Sequence, residues 1–335
     1  MLETAPYPNP KQVILFDPMQ TTATQRSLVS TTADKLTPMD KIILALAVFG
    51  YLTADQVTRL LYAPGSLTYV KDKLKSLVDT NYALSLGGRG VNLPLIYTLS
   101  GKGRTYAAFL GQPTGKRYRP SEEREKADNV QFIRHSLAIN DVLIGARLLP
   151  QSVPSVVLNR MFTERELKRK IYVEIPEVTQ ENRIRHRKIC IEPDASVDFT
   201  IEETWHDQTW QDFVHIEVYR NLPPLEWRFK QKVQGYVSYA QTGLHEELFQ
   251  TTALSIAVFA ATAQQKAVLK RWTEEALRET PQEGQRFFFT SIDTATATPA
   301  EMFLTPVWEQ AFSSTPRPLL VIEERQTSLG EGHER

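Results

Sequence analysis

Residues 191–194 read Ile-Glu-Pro-Asp, residues 213–219 read Phe-Val-His-Ile-Glu-Val-Tyr, and these two stretches decide the fold. The second is rich in apolar and β-branched residues, and the first leads into the alternating residues 195–201, which predicts two strands. Asp194 stands at the start of the first strand, and Glu217 lies inside the second. Two neighbouring strands of one sheet would therefore each carry a carboxylate.

The polar segment 204–208 predicts a turn that pairs these strands antiparallel, with Asp194 roughly opposite Val218 and Tyr219. Because side chains alternate along a strand, each strand presents two faces. One face is apolar and buried, with Val214, Ile216 and Val218. The other is a polar face that carries Asp194, Ser196, Asp198, His215, Glu217 and Tyr219.

The two carboxylates on the polar face predict a divalent-metal site. Carboxylates within reach of each other repel unless a cation or a proton lies between them. Mg²⁺ held by one or two carboxylates, with water and a phosphate completing its shell, is a common solution in phosphate chemistry. Asp194 and Glu217 are the predicted metal ligands and the predicted catalytic pair.

Residues 37–110 predict helix, helix, helix, hairpin, helix, which is the order of a winged helix-turn-helix. Thr53 and Gln56 form a capping box at the second helix. The third helix spans about 66–79, and the hairpin has a glycine-rich tip. The predicted DNA contacts lie on that helix and that tip: Thr68, Tyr69, Lys71, Lys73, Lys75 and Arg89.

The charge distribution also favours double-stranded DNA as the partner of this region. The chain of 335 residues has no net charge, but residues 34–120 hold 12 basic and 5 acidic residues. A basic region joined to an acidic remainder suits a nucleic-acid reader attached to a second domain. A winged helix used for protein contacts or dimerisation is the alternative.

Beyond residue 129 strands alternate with helices, which predicts an α/β domain with a mixed sheet. It begins with a long helix over about 127–149, whose apolar stripe is interrupted by His135, Asn140 and Asp141. The predicted organisation is a flexible arm, a winged helix, a linker, an α/β domain and a tail: 1–33, 34–112, 113–128, 129–312 and 313–335.

Composition excludes several other classes. The single cysteine, Cys190, rules out a disulfide framework and a cysteine-rich zinc site. The chain shows no signal peptide and no apolar stretch that could span a bilayer, so we expect a cytoplasmic protein without a membrane partner. No P-loop and no G-x-S-x-G segment occurs.

Pro193-Asp194 followed by Glu217 in an apolar strand resembles the PD-(D/E)xK nuclease superfamily. More narrowly, residues 37–310 resemble the replication-relaxation family of plasmid and mobile-element proteins. The resemblance is carried by the order of its motifs: the winged helix, then the segments 132–141, 193–195, 215–218 and 232–236. It implies a restriction-endonuclease-like α/β domain and a role in replication or relaxation of plasmid DNA.

One residue departs from the nuclease pattern. The pattern has Lys two residues after the acid, where this chain has Tyr219. A phenol is neutral at pH 7 and cannot replace that cation. Lys232 or Lys230 from the next helix could supply the amine, and Glu166 could supply a third carboxylate as a metal ligand.

These observations leave three functions open, and they leave open whether the protein is an enzyme. The first is a DNA-binding accessory in replication, relaxation or mobilisation of a plasmid or mobile element, with a degenerate nuclease-like domain. The second is a Mg²⁺-dependent endonuclease or nickase that uses Asp194, Glu217 and Lys232. The third is a winged-helix transcriptional regulator. Further candidate partners are replication or mobilisation proteins and a second copy of the chain.

Overall fold

The computed structural model describes residues 36–87, 94–112, 114, 130–168, 171–178, 184–203, 208–220 and 224–322. The predicted arm at 1–33 lies outside the described residues, as does Arg89 at the predicted hairpin tip. Most of the predicted linker and tail lie outside them as well.

The N-terminal part has the predicted order of helices and hairpin, with one short strand, β1, that the sequence does not predict. Its helices are α1 (Pro38–Phe49), α2 (Ala54–Leu61), α3 (Leu67–Asp79) and α4 (Gly101–Phe109). Its strands are β1 (Leu52–Thr53), β2 (Ala83–Leu86) and β3 (Ile96–Leu99), and they form a sheet in the order β1-β3-β2. The predicted capping box is confirmed, because Thr53 and Gln56 exchange two hydrogen bonds of 3.1 Å at the start of α2.

The C-terminal part alternates helices and strands. Its helices are α5 (Val130–Ser152), α6 (Glu164–Leu167), α7 (Glu226–Gln241), α8 (Leu244–Phe249), α9 (Ala263–Ala276) and α10 (Pro299–Phe303). Its strands are β4 (Val156–Thr163), β5 (Ile171–Val178), β6 (Ile184–Ile191), β7 (Ala195–Glu203), β8 (Gln208–Tyr219), β9 (Ser255–Ala260), β10 (Phe287–Thr290) and β11 (Glu309–Gln310).

Six of these strands form one mixed sheet in the order β11-β10-β9-β8-β7-β4. Strands β4, β7 and β8 are antiparallel neighbours, whereas β8, β9 and β10 run parallel. Parallel neighbours need a crossover, and α7 supplies it between β8 and β9. The predicted mixed α/β class is confirmed. Strands β5 and β6 form a separate two-stranded hairpin.

The pairing of β7 with β8 is one residue short of the predicted register. Ala195 pairs with Ile216 and Ser196 with His215, which places Asp194 level with Glu217 instead of Val218 and Tyr219. The register differs because β8 already begins at Gln208, a residue that the sequence predicts to lie in the turn. Directly opposed residues share a face, so this register puts both carboxylates on one face.

Both faces of the β7–β8 pair are buried, so the expectation of one buried and one polar face was wrong in part. The apolar face, with Val214 and Ile216 fully buried, belongs to the same core as α5 residues such as Val142. The face that carries Ser196 and His215 is also fully buried. Helix α7 covers it, because the crossover from β8 to β9 lies over the sheet.

Helix α5 joins the N-terminal and C-terminal parts, and the described residues from Pro38 onward belong to one compact unit. Asn140 Nδ2 donates to the carbonyl oxygens of Phe49 and Tyr51 at 3.1 and 2.6 Å. Gln56 Nε2 donates to Asp141 Oδ1 at 2.8 Å. Two of the polar residues that interrupt the apolar stripe of α5, Asn140 and Asp141, therefore bind the end of α1, the segment before β1, and α2.

Candidate functional site

Asp194 lies at the entrance of β7, with both carboxylate oxygens bonded. The backbone N–H of Val218 donates to Asp194 Oδ2 at 2.7 Å. His135 Nε2, from α5, lies 3.1 Å from Asp194 Oδ1.

Glu217 lies inside β8 and is only 3% exposed. Lys232 Nζ donates to Glu217 Oε2 at 2.5 Å, and Tyr236 OH donates to Oε1 at 2.5 Å. Both donors come from α7, where residues four apart lie on the same face. Lys232 Nζ also donates to the carbonyl oxygen of Glu192 at 3.1 Å. The structure thus brings together Asp194, Glu217 and Lys232, the three predicted catalytic residues.

The charges in this cluster depend on one another. Burial raises the pKa of Glu217 to about 7; Lys232 opposes this rise, and the Asp194 charge adds to it. Burial alone would lower the pKa of Lys232, but Glu217 and Asp194 outweigh burial and raise it. Lys232 is therefore a cation at neutral pH, and it holds the buried Glu217 in place as its counter-ion.

His135 adds a titratable group on the Asp194 side. Burial would lower its pKa, but the hydrogen bond and the charge of Asp194 reverse the effect, so the pKa of His135 is raised. Its side chain is 28% exposed. The cluster therefore gains a second positive charge as the pH falls through the range where this imidazole titrates.

The predicted third carboxylate does not join the pair. Glu166 instead accepts hydrogen bonds from the Thr163 N–H and hydroxyl at 2.8 and 2.9 Å, and so caps α6. Among the described residues, no group of three or more His, Cys, Asp or Glu side chains could hold a metal ion. Lys230, the alternative amine, lies 2.6 Å from both Glu226 and Glu275 instead of approaching Glu217.

The arrangement does not fit a resident divalent cation. Carboxylate oxygens are the correct ligands for Mg²⁺. However, each of the four oxygens of Asp194 and Glu217 already has a hydrogen-bonding partner from the protein. A metal ion would have to compete with these donors for the carboxylate oxygens, and the Mg²⁺ site stays a prediction.

Sequence reasoning missed His135 and Tyr236 as members of the cluster. His135 precedes Asp194 by 59 positions, and nothing in the chain between them signals the contact. A weak signal existed for Tyr236, which follows Lys232 by one helical turn. This spacing would have identified Tyr236 only if the rotation of α7 about its own axis, relative to the sheet, had been known.

The predicted DNA-contact residues of α3 lie mostly on its outer face. Thr68, Tyr69, Lys71 and Lys75 are exposed, while Val70, Leu74 and Leu77 on the inner face are fully buried. Lys73 is half-buried, with its Nζ 5.1 Å from the centre of the Tyr69 ring. The face of α3 opposite its core is therefore open, and it carries lysines together with Asp72.

A cavity of about 350 Å³ adjoins Asp194. It lies where the end of α1 meets α5 and α6, and Phe132, Arg165 and Lys168 contribute to its wall.

None of the helices in the described part of the chain is both long and apolar enough to cross a membrane.

No curated protein matches this chain, and no solved structure matches it. A family model described as replication-relaxation matches residues 44–252. The matched region begins inside α1, contains α3 and the whole cluster of Asp194, Glu217 and Lys232, and ends after α8. It covers more than half of the chain, and the protein therefore belongs to the replication-relaxation family.

Proposed function

We propose that the protein binds double-stranded DNA and acts as an accessory in the replication, relaxation or mobilisation of a plasmid or mobile element. Family membership supports the biological setting. The observation that carries DNA binding is the outer face of α3, where Tyr69, Lys71 and Lys75 are exposed beside Lys73.

The order of elements around α3 supports a winged helix. Two helices precede α3, and a two-stranded hairpin and a further helix follow it. In this arrangement the third helix enters the major groove and the hairpin lies along the backbone. An α-helix fits the width of that groove, and lysines on its flanks neutralise phosphates.

Replacing Lys71 and Lys75 with Ala will weaken duplex binding and flatten its dependence on salt. Each phosphate contact that is lost reduces the slope of log K against log salt by about 0.9, so the double variant should lose roughly two units. Fluorescence anisotropy with a labelled duplex between 50 and 300 mM salt measures this slope. Arg271→Ala, on the exposed side of α9, is the matched control, and a wild-type slope in the lysine variant would contradict the interface.

Three features support a nuclease-like domain that does not cut. Helix α5, the antiparallel strands β4, β7 and β8, helix α7 and the parallel strand β9 form a mixed α/β domain that holds Asp194 and Glu217 on adjacent strands, which agrees with the resemblance to PD-(D/E)xK nucleases. Tyr219 stands where that pattern has lysine. The oxygens of Asp194 and Glu217 are all engaged by protein donors. We infer that the cluster now stabilises the domain.

A second candidate, a Mg²⁺-dependent endonuclease or nickase, is favoured by the position of Lys232. Its Nζ lies 2.5 Å from Glu217 Oε2, so the amine that Tyr219 cannot supply reaches the carboxylate from the next helix. An ammonium group there could steady a phosphate at the site. This candidate requires the cluster to release one of its internal bonds when DNA and metal bind.

Supercoiled plasmid incubated with the full chain and millimolar Mg²⁺ or Mn²⁺ separates the two candidates. We expect no nicking, and no rise in melting temperature with either metal, because a ligand must bind the folded state to stabilise it. Asp194→Asn is the control for any activity that does appear. Metal-dependent nicking that this substitution removes would establish the nuclease and overturn the accessory role.

A further inference from the structure

We propose that the hairpin of β5 and β6 is a second contact for duplex DNA, a β-ribbon that binds phosphates next to the Asp194–Glu217 cluster. This inference rests on the proposed function, because it assigns a further part of the DNA-binding surface. It concerns residues 185–188, which read Arg-His-Arg-Lys and are all exposed.

The inner half of the hairpin is anchored on α7. Ile171 and Val173 of β5 and Ile191 of β6 belong to the same buried cluster as Val233 and Tyr236 of α7. The hairpin lies so close to Gly235 that a Cβ there would be 3.4 Å from Ile191 Cγ1 and 3.5 Å from Ile189 Cδ1. Ser238 Oγ adds a hydrogen bond of 3.0 Å to the carbonyl oxygen of Glu174. This half therefore holds the ribbon in a defined direction.

The outer half carries cations on both faces. Successive residues of a strand point to opposite faces, so Arg185 and Arg187 lie on one face and His186 and Lys188 on the other. Lys188 Nζ lies 4.8 Å from the centre of the Tyr172 ring, on the face away from α7. A two-stranded ribbon fits the width of the major groove, and long cationic side chains along the ribbon reach the phosphates that border the groove.

Glu174 on β5 offsets part of this charge, because it is directly opposite Lys188 in the register of the hairpin. Arg187 is instead directly opposite Ile175, which is buried and apolar. Opposite charges that face each other across a strand pair attenuate each other, and Arg187 has an apolar residue in that position. Arg187 should therefore be the main phosphate contact.

The hairpin leads directly into the cluster. Strand β6 ends at Ile191, the carbonyl of Glu192 accepts the Lys232 bond, and Asp194 follows. DNA held by the outer half of the ribbon would run beside α7 and the acidic pair.

The test compares the full-length wild type with Arg185→Gln/Arg187→Gln on a labelled duplex across 50–300 mM salt. We expect the slope of log K against log salt to fall by about two units and the Kd at 150 mM to rise roughly tenfold or more. Arg271→Gln/Arg278→Gln, on α9 and just after its end, removes the same charge from another surface and should match the wild type. Both double variants should melt at the wild-type temperature, since the four side chains are exposed.

The outcomes separate this inference from the proposed function. A wild-type slope in Arg185→Gln/Arg187→Gln, together with a reduced slope in Lys71→Ala/Lys75→Ala, overturns the ribbon contact and leaves the DNA-binding function standing. A slope that falls equally in the α9 control also overturns the ribbon, because binding then reflects overall charge. A wild-type chain that binds no duplex overturns both proposals.

Discussion

Lys232→Met will destabilise the folded chain by about 3 kcal/mol at pH 8, because it leaves the buried Glu217 carboxylate without its cation. Removing one partner of a buried ion pair typically costs 3–5 kcal/mol. The lower end applies here, since the Lys232 side chain is still 27% exposed. Urea unfolding followed by circular dichroism measures the change.

The cost will shrink as the pH falls, and its direction follows from the pKa of Glu217. That pKa is raised from 4.5 to about 7 in the folded wild type, and losing Lys232 raises it further. A carboxyl group whose folded pKa is raised contributes its full stability below the unfolded pKa and loses it as the pH rises through the folded pKa. The variant should therefore be closer to the wild type at pH 5 than at pH 8.

Lys230→Met is the matched control on the same helix. Lys230 pairs with Glu226 and Glu275, whose side chains are 50% and 36% exposed, so its loss should cost about 0–1 kcal/mol. Adding Glu217→Gln to Lys232→Met should recover part of the loss, because an amide needs no counter-ion. Equal costs for the two lysines, or a cost that does not depend on pH, would show that Lys232 is not the counter-ion of Glu217.

Ile216→Ala will destabilise the chain by about 2–5 kcal/mol through the cavity that it leaves between the sheet and α5. Ile216 is fully buried and sits in the strand position just before Glu217. Val157→Ala on the edge strand β4, 36% exposed, is the control and should change stability by about 0.5 kcal/mol or less. An equally small effect at Ile216 would place this strand face outside the core.

Local signals predicted the elements well because they act over a few residues. The capping box of Thr53 and Gln56 marks the start of α2, and alternation marks β7 and β8. The exact register was out of reach, since residues 204–207 contain neither Gly nor Pro to define the turn. Alternation also could not show that β5 and β6 leave the main sheet, because it identifies a strand but not its partner.

The candidate site was predictable only as far as it lies on neighbouring strands. Asp194 and Glu217 come together through one antiparallel pairing, which alternation implies. The choice of Lys232 over Lys230 depends on the rotation of α7 over the sheet. Burial of Val233 and Tyr236 sets that rotation, and those residues meet partners far along the chain. His135 arrives through the packing of α5, a contact with no local signature.

Helix α5 makes the two halves of this protein poor candidates for modular exchange. Binding domains that are joined to the rest of a protein by a flexible loop can often be exchanged between proteins. In this protein, hydrogen bonds join α5 to the N-terminal part. Asn140 binds the backbone at Phe49 and Tyr51, and Asp141 binds Gln56. A chimera that moves residues 38–110 elsewhere must bring this face of α5 along. Without it, the backbone carbonyls of Phe49 and Tyr51 in the graft would lose their donor, and Gln56 would lose its acceptor.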